Sequence, residues 1–467
     1  MNPRKSVQRR RDFLRQLALA PAALLLPSRL LAGGRGPAST AVARDLELLR
    51  EMARKVLDGA RIPPGGRIPG GPTNTTGCAV RVPGATQNYY PAFWIRDAAM
   101  MLGGDLVPAD EIEGWVRLTA ATQPGADGLR FGRLFVPPFS IPDHITLVGE
   151  ACWYPGAYIE QGNGSYGFLP PADDAFFFIQ MVFEHWWLTR RLTFFQSTVK
   201  TGWGTARLSD VCEKAFASVA ADEPTGLVVC DPAEGRTRVD WGFCDAIRKS
   251  GLCLMPSLFR WRAARELAVM LNANGKTAAA KRLRAEADKI RSAIPPAFYQ
   301  KVAGSGTTES GLLLSATGLG RKDDVWASAF ALWLGLLEPG VGRHVARHLL
   351  ELYEAGGTVV QGQARHLPPT GEFGGHWEQA ACPADEYQNG GYWATPTGWL
   401  VTALRRVKRA AGDRLLAEFI AHVRANRAAG APWEWIQPAR HLRVNPLYGS
   451  SAGLVYNSLL RSGGGLR

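Results

Sequence analysis

Leu267-Ala268-Val269-Met270-Leu271-Asn272-Ala273-Asn274-Gly275-Lys276-Thr277-Ala278-Ala279-Ala280 sets two helical patterns on either side of a polar break. Apolar residues recur at three- and four-residue spacing from Met255 to Leu271 and again from Ala279 to Ile290, which is the period of one helix face. Gly275 stops the first run, because glycine readily takes the backbone conformations that end a helix. So short a join turns the second helix back along the first. The stretch therefore predicts an antiparallel helical hairpin over Met255–Asn272 and Lys276–Ile290.

The same reading outward predicts helices at about 43–58, 96–104, 110–122, 172–190, 208–220, 254–272, 276–294, 324–338, 341–355, 392–410, 413–428 and 449–461. Glu338-Pro339-Gly340 and Ala411-Gly412-Asp413 read as two more tight joins. By contrast, 124–171, 222–252, 295–323 and 356–391 are long connections. Strand-like alternation is confined to short pieces such as Gly226–Cys230 and Thr358–Gln361. Short joins at one end and long loops at the other suit an all-α fold of six hairpins, an (α/α)6 toroid whose long loops build a site. No Gly/Ser-rich linker divides the chain, so one domain is expected from about residue 40 to 467.

Residues 1–35 read as an export segment. Arg10-Arg11-Asp12-Phe13-Leu14 precedes the apolar run Leu17–Ala32, and the layout resembles a bacterial twin-arginine signal. That resemblance implies a periplasmic or secreted protein carried by the twin-arginine machinery. The segment holds +7 of the formal net charge of +13, leaving a modest +6 without a basic stripe, which gives nucleic-acid binding little support. Seven cysteines show neither a CxxC pair nor histidines at zinc spacing, so no structural zinc is expected, and an odd count leaves at least one thiol free. No acidic loop has the spacing of a calcium site, so no metal site is expected, and no cofactor is expected either. No later stretch is long and apolar enough to span a membrane.

Aromatic residues and carboxylates recur together at predicted helix starts. Sugars have apolar faces that stack on rings and hydroxyls that bond to acids, which makes a carbohydrate the expected partner. The first cluster is Tyr89-Tyr90-Pro91-Ala92-Phe93-Trp94-Ile95-Arg96-Asp97. The second is Pro170-Pro171-Ala172-Asp173-Asp174, where an Asp also suits a helix N-terminus. Arg238-Val239-Asp240-Trp241-Gly242-Phe243, with Asp245 behind it, is the third. Two more follow, Asp385-Glu386-Tyr387-Gln388-Asn389-Gly390-Gly391-Tyr392-Trp393 and Pro432-Trp433-Glu434-Trp435, the latter ahead of Tyr448-Gly449-Ser450-Ser451.

In this order the clusters resemble the six-hairpin glycosidases, among them glucoamylases, debranching glucosidases, trehalases and processing α-glucosidases. The resemblance implies that Arg96 and Asp97 hold a terminal sugar, with Trp94 as a stacking wall and Asp174 or Asp173 as a further ligand. It implies Asp240 beside Trp241 as the general acid, although here Asp precedes Trp, with Asp245 in reserve. Tyr392 and Trp393 would line the pocket, with Glu386 and Gln388 able to bind hydroxyls. Glu434 would be the general base, with Glu386 its competitor.

The expected activity is glycoside hydrolysis at a chain end or on a short oligosaccharide, by an inverting acid–base pair. Carboxyl groups about 6.5–9.5 Å apart fit inversion, and about 5–5.5 Å fit a covalent intermediate. Three other readings stay open: a polysaccharide lyase using Tyr154, Tyr387 or His376, a phosphorolytic enzyme, and a carbohydrate-binding protein without catalysis.

Overall fold

The computed structural model describes residues 37–85, 90–132, 134–153, 170–230, 243–299 and 311–462. The expected export segment, together with Tyr89, Tyr154, Asp240 and Trp241, lies outside them.

Thirteen helices occur among the described residues: α1 Pro37–Gly59, α2 Ile95–Met101, α3 Ala109–Thr122, α4 Asp174–Thr189, the single turn α5 Thr193–Gln196, α6 Leu208–Ala217, α7 Leu254–Ala273, α8 Thr277–Phe298, α9 Val325–Leu334, α10 Pro339–Ala355, α11 Thr397–Arg405, α12 Arg409–Ala425 and α13 Gly449–Arg461. Burial sorts them into two layers. All seven residues of α2 and nine of ten in α9 are buried, whereas α10 buries only Val345, Ala346, Leu349 and Tyr353. A helix apolar all round belongs inside, and one with a single apolar stripe belongs on the outside.

The inner helices pack in a closed cycle, α2 on α4, α4 on α7, α7 on α9, α9 on α11, α11 on α13 and α13 back on α2. Outside them α1 packs on α13, α3 on α4, α6 against α4 and α7, α8 on α7, α10 against α9 and α11, and α12 on α11. This is the (α/α)6 toroid. Joins from an inner helix to the next outer one are short except from α4 to α6, where α5 and the hairpin Thr198–Arg207 intervene, and those from an outer helix to the next inner one are long, so the long loops gather where the inner helices begin.

Glycines let the ring close. A Cβ on Gly398 of α11 would lie 3.0 Å from the Val455 carbonyl oxygen of α13, and one on Gly453 of α13 would lie 2.8 Å from Met101 Cα of α2. Because backbone cannot move aside as a flexible side chain can, Gly453→Ala is expected to destabilise the protein by about 1–3 kcal/mol. A urea midpoint unchanged from that of the parent protein would show that the contact is slack.

Gly412 needs a correction of the same kind. It sits inside α12, where a Cβ would meet the Val401 carbonyl oxygen at 2.7 Å, and the turn falls instead between Arg405 and Arg409. Glycine there serves close helix approach rather than a join. Likewise α11 begins at Thr397, because Tyr392–Trp393 is drawn into a five-stranded antiparallel sheet with Val359–Val360, Gln363–Ala364, Trp433–Gln437 and Leu442–Pro446. A smaller sheet pairs Ala92–Trp94 with His144–Thr146, and the latter with Ala151–Cys152. All seven cysteines are free thiols.

At the far end of the ring, a buried ionic network ties three inner helices together. Arg461 of α13 reaches Glu184 of α4 at 2.6 Å, and Arg262 of α7 holds Glu266 at 2.7 Å and lies 3.9 Å from Glu184. No helix among the described residues is long and apolar enough to cross a membrane.

Candidate active site

The long loops bring six carboxylates to the N-terminal ends of the inner helices. Arg96 and Asp97 open α2, Asp173 and Asp174 open α4, Asp245 precedes α7, and Glu434 lies on the strand before α13. Asp143 comes from the small sheet, whose register sets Trp94 against His144.

Arg96 is the hub. Its Nη2 donates to Asp143 Oδ1 at 3.1 Å, and its guanidinium lies 3.7 Å from Asp173 Oδ2 and 3.9 Å from Asp245 Oδ2. Burial alone would lower the Arg96 pKa, but the surrounding carboxylates hold it well above its usual range. Asp143 also meets His144 Nδ1 at 2.8 Å, and the His144 ring stacks on Trp94 at 4.0 Å and 13°.

Glu434 is 1% exposed and is held by two donors. Tyr90 Oη lies 3.2 Å from each carboxylate oxygen, and Asn445 Nδ2 donates to Oε2. Burial pushes Glu434 up to about 8, helped by Asp245 and Asp97 and opposed by the Asn445 and Tyr90 hydrogen bonds, which favour the ionised form. Asp97, bonded by the Ser450 hydroxyl, is raised by burial to about 6. Asp245 is raised as well, by burial first and against Arg96, and it accepts the Tyr387 hydroxyl at 3.3 Å. Its side chain remains 17% exposed, so it is reachable. Asp174 is fully buried with no hydrogen bond to either oxygen, and burial raises it well above the usual range. Tyr90 and Tyr387 each sense both Asp245 and Glu434 electrostatically, and Glu434 senses Asp245, so the two carboxyls lie near one another.

Four of the ten non-glycine residues with positive φ among the described residues lie here. Tyr90, Phe243, Tyr387 and Asn445 have φ of 54°, 67°, 46° and 50°, a region that costs a non-glycine residue on the order of 1–3 kcal/mol. Three of them donate side-chain hydrogen bonds to Glu434 or Asp245, and the Phe243 amide donates to Asp173 at 2.9 Å. Such conformations persist where surrounding contacts hold reactive groups in place.

Trp94, Arg96, Asp97, Asp174, Asp245 and Glu434 thus converge, as does Trp393, which donates to the Tyr387 carbonyl and packs on the Tyr387 ring. Two predicted residues are drawn elsewhere. Glu386 pairs at 2.7 Å with the half-exposed Arg440, and Tyr392 donates to the Gly357 carbonyl and packs with Ala431, Trp433 and Ile436. Gln388 accepts the Ala246 amide, and His376 pairs with Asp385. The roles of Asp143, His144 and Asn445 escaped sequence reasoning. Pro142-Asp143-His144 carries no helical period, and only the pairing of its strand with Ala92–Trp94 brings it to Arg96.

No protein-family model matches the sequence, and no curated protein matches it. Solved structures do match. The mannosylglycerate hydrolase of glycoside hydrolase family 63 from Thermus thermophilus, in complex with glucose, is 14% identical, with a TM-score of 0.53 over 87% of this chain and 99% of that one. This chain shares its fold. An uncharacterised conserved protein from the same organism gives a TM-score of 0.55 at 14% identity, over 87% of this chain and 98% of that one. A glycosidase variant gives 0.51 at 14% identity, over 92% and 100%.

Proposed function

We propose that this protein is an inverting glycoside hydrolase in which Glu434 activates water and Asp245 protonates the leaving oxygen. The observation that carries the reading is Glu434, buried and gripped by Tyr90 and Asn445, with the more exposed Asp245 near enough to act on its charge. Both donors favour the carboxylate form that a base requires, so Glu434 serves as base once pH has ionised it. Asp245, raised by burial, is suited to carry a proton to an incoming oxygen. It replaces Asp240 as first candidate for the acid because it is the carboxyl that the described residues place beside Arg96 and Tyr387.

The lyase alternative loses ground on one feature. A lyase needs a free cation to neutralise a uronate, and Arg96, the cation that the described residues place among the carboxylates, is already engaged by Asp143, Asp173 and Asp245. The likeness in fold to a glycoside hydrolase agrees with hydrolysis but names neither sugar nor linkage.

Leaving-group dependence tests the assignment. Asp245→Asn is expected to lose turnover of oligosaccharides yet keep it on a glycosyl fluoride, whose departure needs no proton. Asp240→Asn showing that pattern while Asp245→Asn turns over normally would move the acid to Asp240.

The pH profile tests the base. Glu434 must be ionised, so the acidic limb of kcat/KM follows its pKa, raised to about 8. Asn445→Ala removes a donor to the ionised form and is expected to shift that limb to higher pH. A limb that stays in place would remove Asn445 from the base.

A further inference from the structure

Behind Asp245 runs a buried polar chain for which the acid–base pair has no use. Cys244 Sγ lies 3.2 Å from His366 Nδ1, and His366 Nε2 lies 3.1 Å from Asp324 Oδ2. Asp324 Oδ1 accepts the Ala327 amide at 2.7 Å and caps inner helix α9. The imidazole lies flat on Trp326, at 4.2 Å and 2°, with Trp377 edge-on at 4.9 Å. Burial would raise Asp324, but His366 and Lys249 hold it below its ordinary value, so it is ionised. Asp324 thus faces the Nε2 side of the ring, and the Cys244 sulfur meets its Nδ1 side.

This is the order of a nucleophilic triad, but all three side chains are buried, with Cys244 at 0% exposure. A thiol closed to solvent attacks nothing. What the chain does touch is the segment that carries Asp245, where each residue from 243 to 246 has its own tether. The Phe243 amide donates to Asp173, Cys244 meets His366, Asp245 accepts from Tyr387, and the Ala246 amide donates to Gln388 Oε1 at 2.8 Å. Two of these tethers run to caps of inner helices, the Phe243 amide to Asp173 at the start of α4 and Cys244 through His366 to Asp324 at the start of α9.

We propose that Asp324, His366 and Cys244 are positioning residues that lock the 243–246 segment to the start of α9 and so hold Asp245 in place near Glu434. The proposal rests on the glycosidase reading for its catalytic consequence, but not for its structural one. A proton donor displaced by about 1 Å can cost up to about 10²-fold in rate, so a tether of this kind acts on kcat more than on binding.

The test compares Cys244→Ala, Cys244→Ser and His366→Gln with the parent protein. Cys244→Ala is expected to lower kcat by about 10-fold or more while KM changes little, and Cys244→Ser, which keeps a hydroxyl for His366, to recover most of it. Hydrogen–deuterium exchange of the peptide spanning 243–247 is expected to accelerate in Cys244→Ala while that of α4 stays as it was. Unchanged kcat and unchanged exchange, with only a lower melting temperature, would overturn the proposal. If the parent protein turns over no oligosaccharide, the glycosidase reading falls, and the exchange measurement alone decides the tether. His366→Gln is expected to follow Cys244→Ala in exchange, and a parent-like rate in that peptide would also count against it.

Discussion

Glu434→Gln is expected to lower kcat on a cleavable oligosaccharide by about 10²–10⁴-fold while sparing sugar binding, the range that a positioned acid or base contributes. The substitution keeps the shape that Tyr90 and Asn445 grip, so the loss measures proton transfer rather than collapse of the site. Stability should move the other way. Glu434 titrates at about 8 in the folded protein, against an ordinary 4.5. Because the folded pKa is the higher one, its stabilising contribution is fully present below about 4.5 and is lost as pH rises through about 8. Glutamine does not ionise, so the variant should gain on the parent over that window and be the more stable of the two above it. Melting curves at several pH values read the effect, and a difference independent of pH would mean that burial does not raise Glu434. Activity held at the expense of stability is a common mark of a working site.

Arg96→Met carries the largest expected stability loss. It strips the guanidinium from Asp143, Asp173 and Asp245, two of them fully buried, and leaves like charges facing one another. Breaking a buried ion pair by removing one partner costs about 3–5 kcal/mol, and here one cation serves several acids. Urea unfolding should show a midpoint reduced accordingly at neutral pH. The deficit should narrow on acidification, since a protonated carboxyl no longer needs the cation. A midpoint equal to that of the parent protein at neutral pH would show that the cluster is already protonated and that Arg96 is not its hub.

The sequence made the ring legible because each helix announces itself locally. Twelve expected helices correspond to twelve observed ones, and α5, a single turn at Thr193–Gln196, is too short for a period to show. The two misplaced boundaries share a cause. Glycine marks a turn or a close approach with equal ease, as at Gly412, and a two-residue strand such as Tyr392–Trp393 has no period at all. In the site, Arg96, Asp97 and Glu434 stood out within short motifs. Their partners did not, because Tyr90 and Glu434 lie 344 residues apart, and Ser450 and Asp97 lie 353 apart. Such ties exist only once the ring closes.

Glu434 and Asp245 working as an inverting pair is the claim on which the functional account turns. It is tested most directly by incubating the parent protein with α- and β-linked oligosaccharides and following the first-formed product by proton NMR. The account predicts hydrolysis in which the new reducing sugar appears with the anomeric configuration opposite to that of the bond cleaved. A first product of retained configuration, or an unsaturated one, would contradict it.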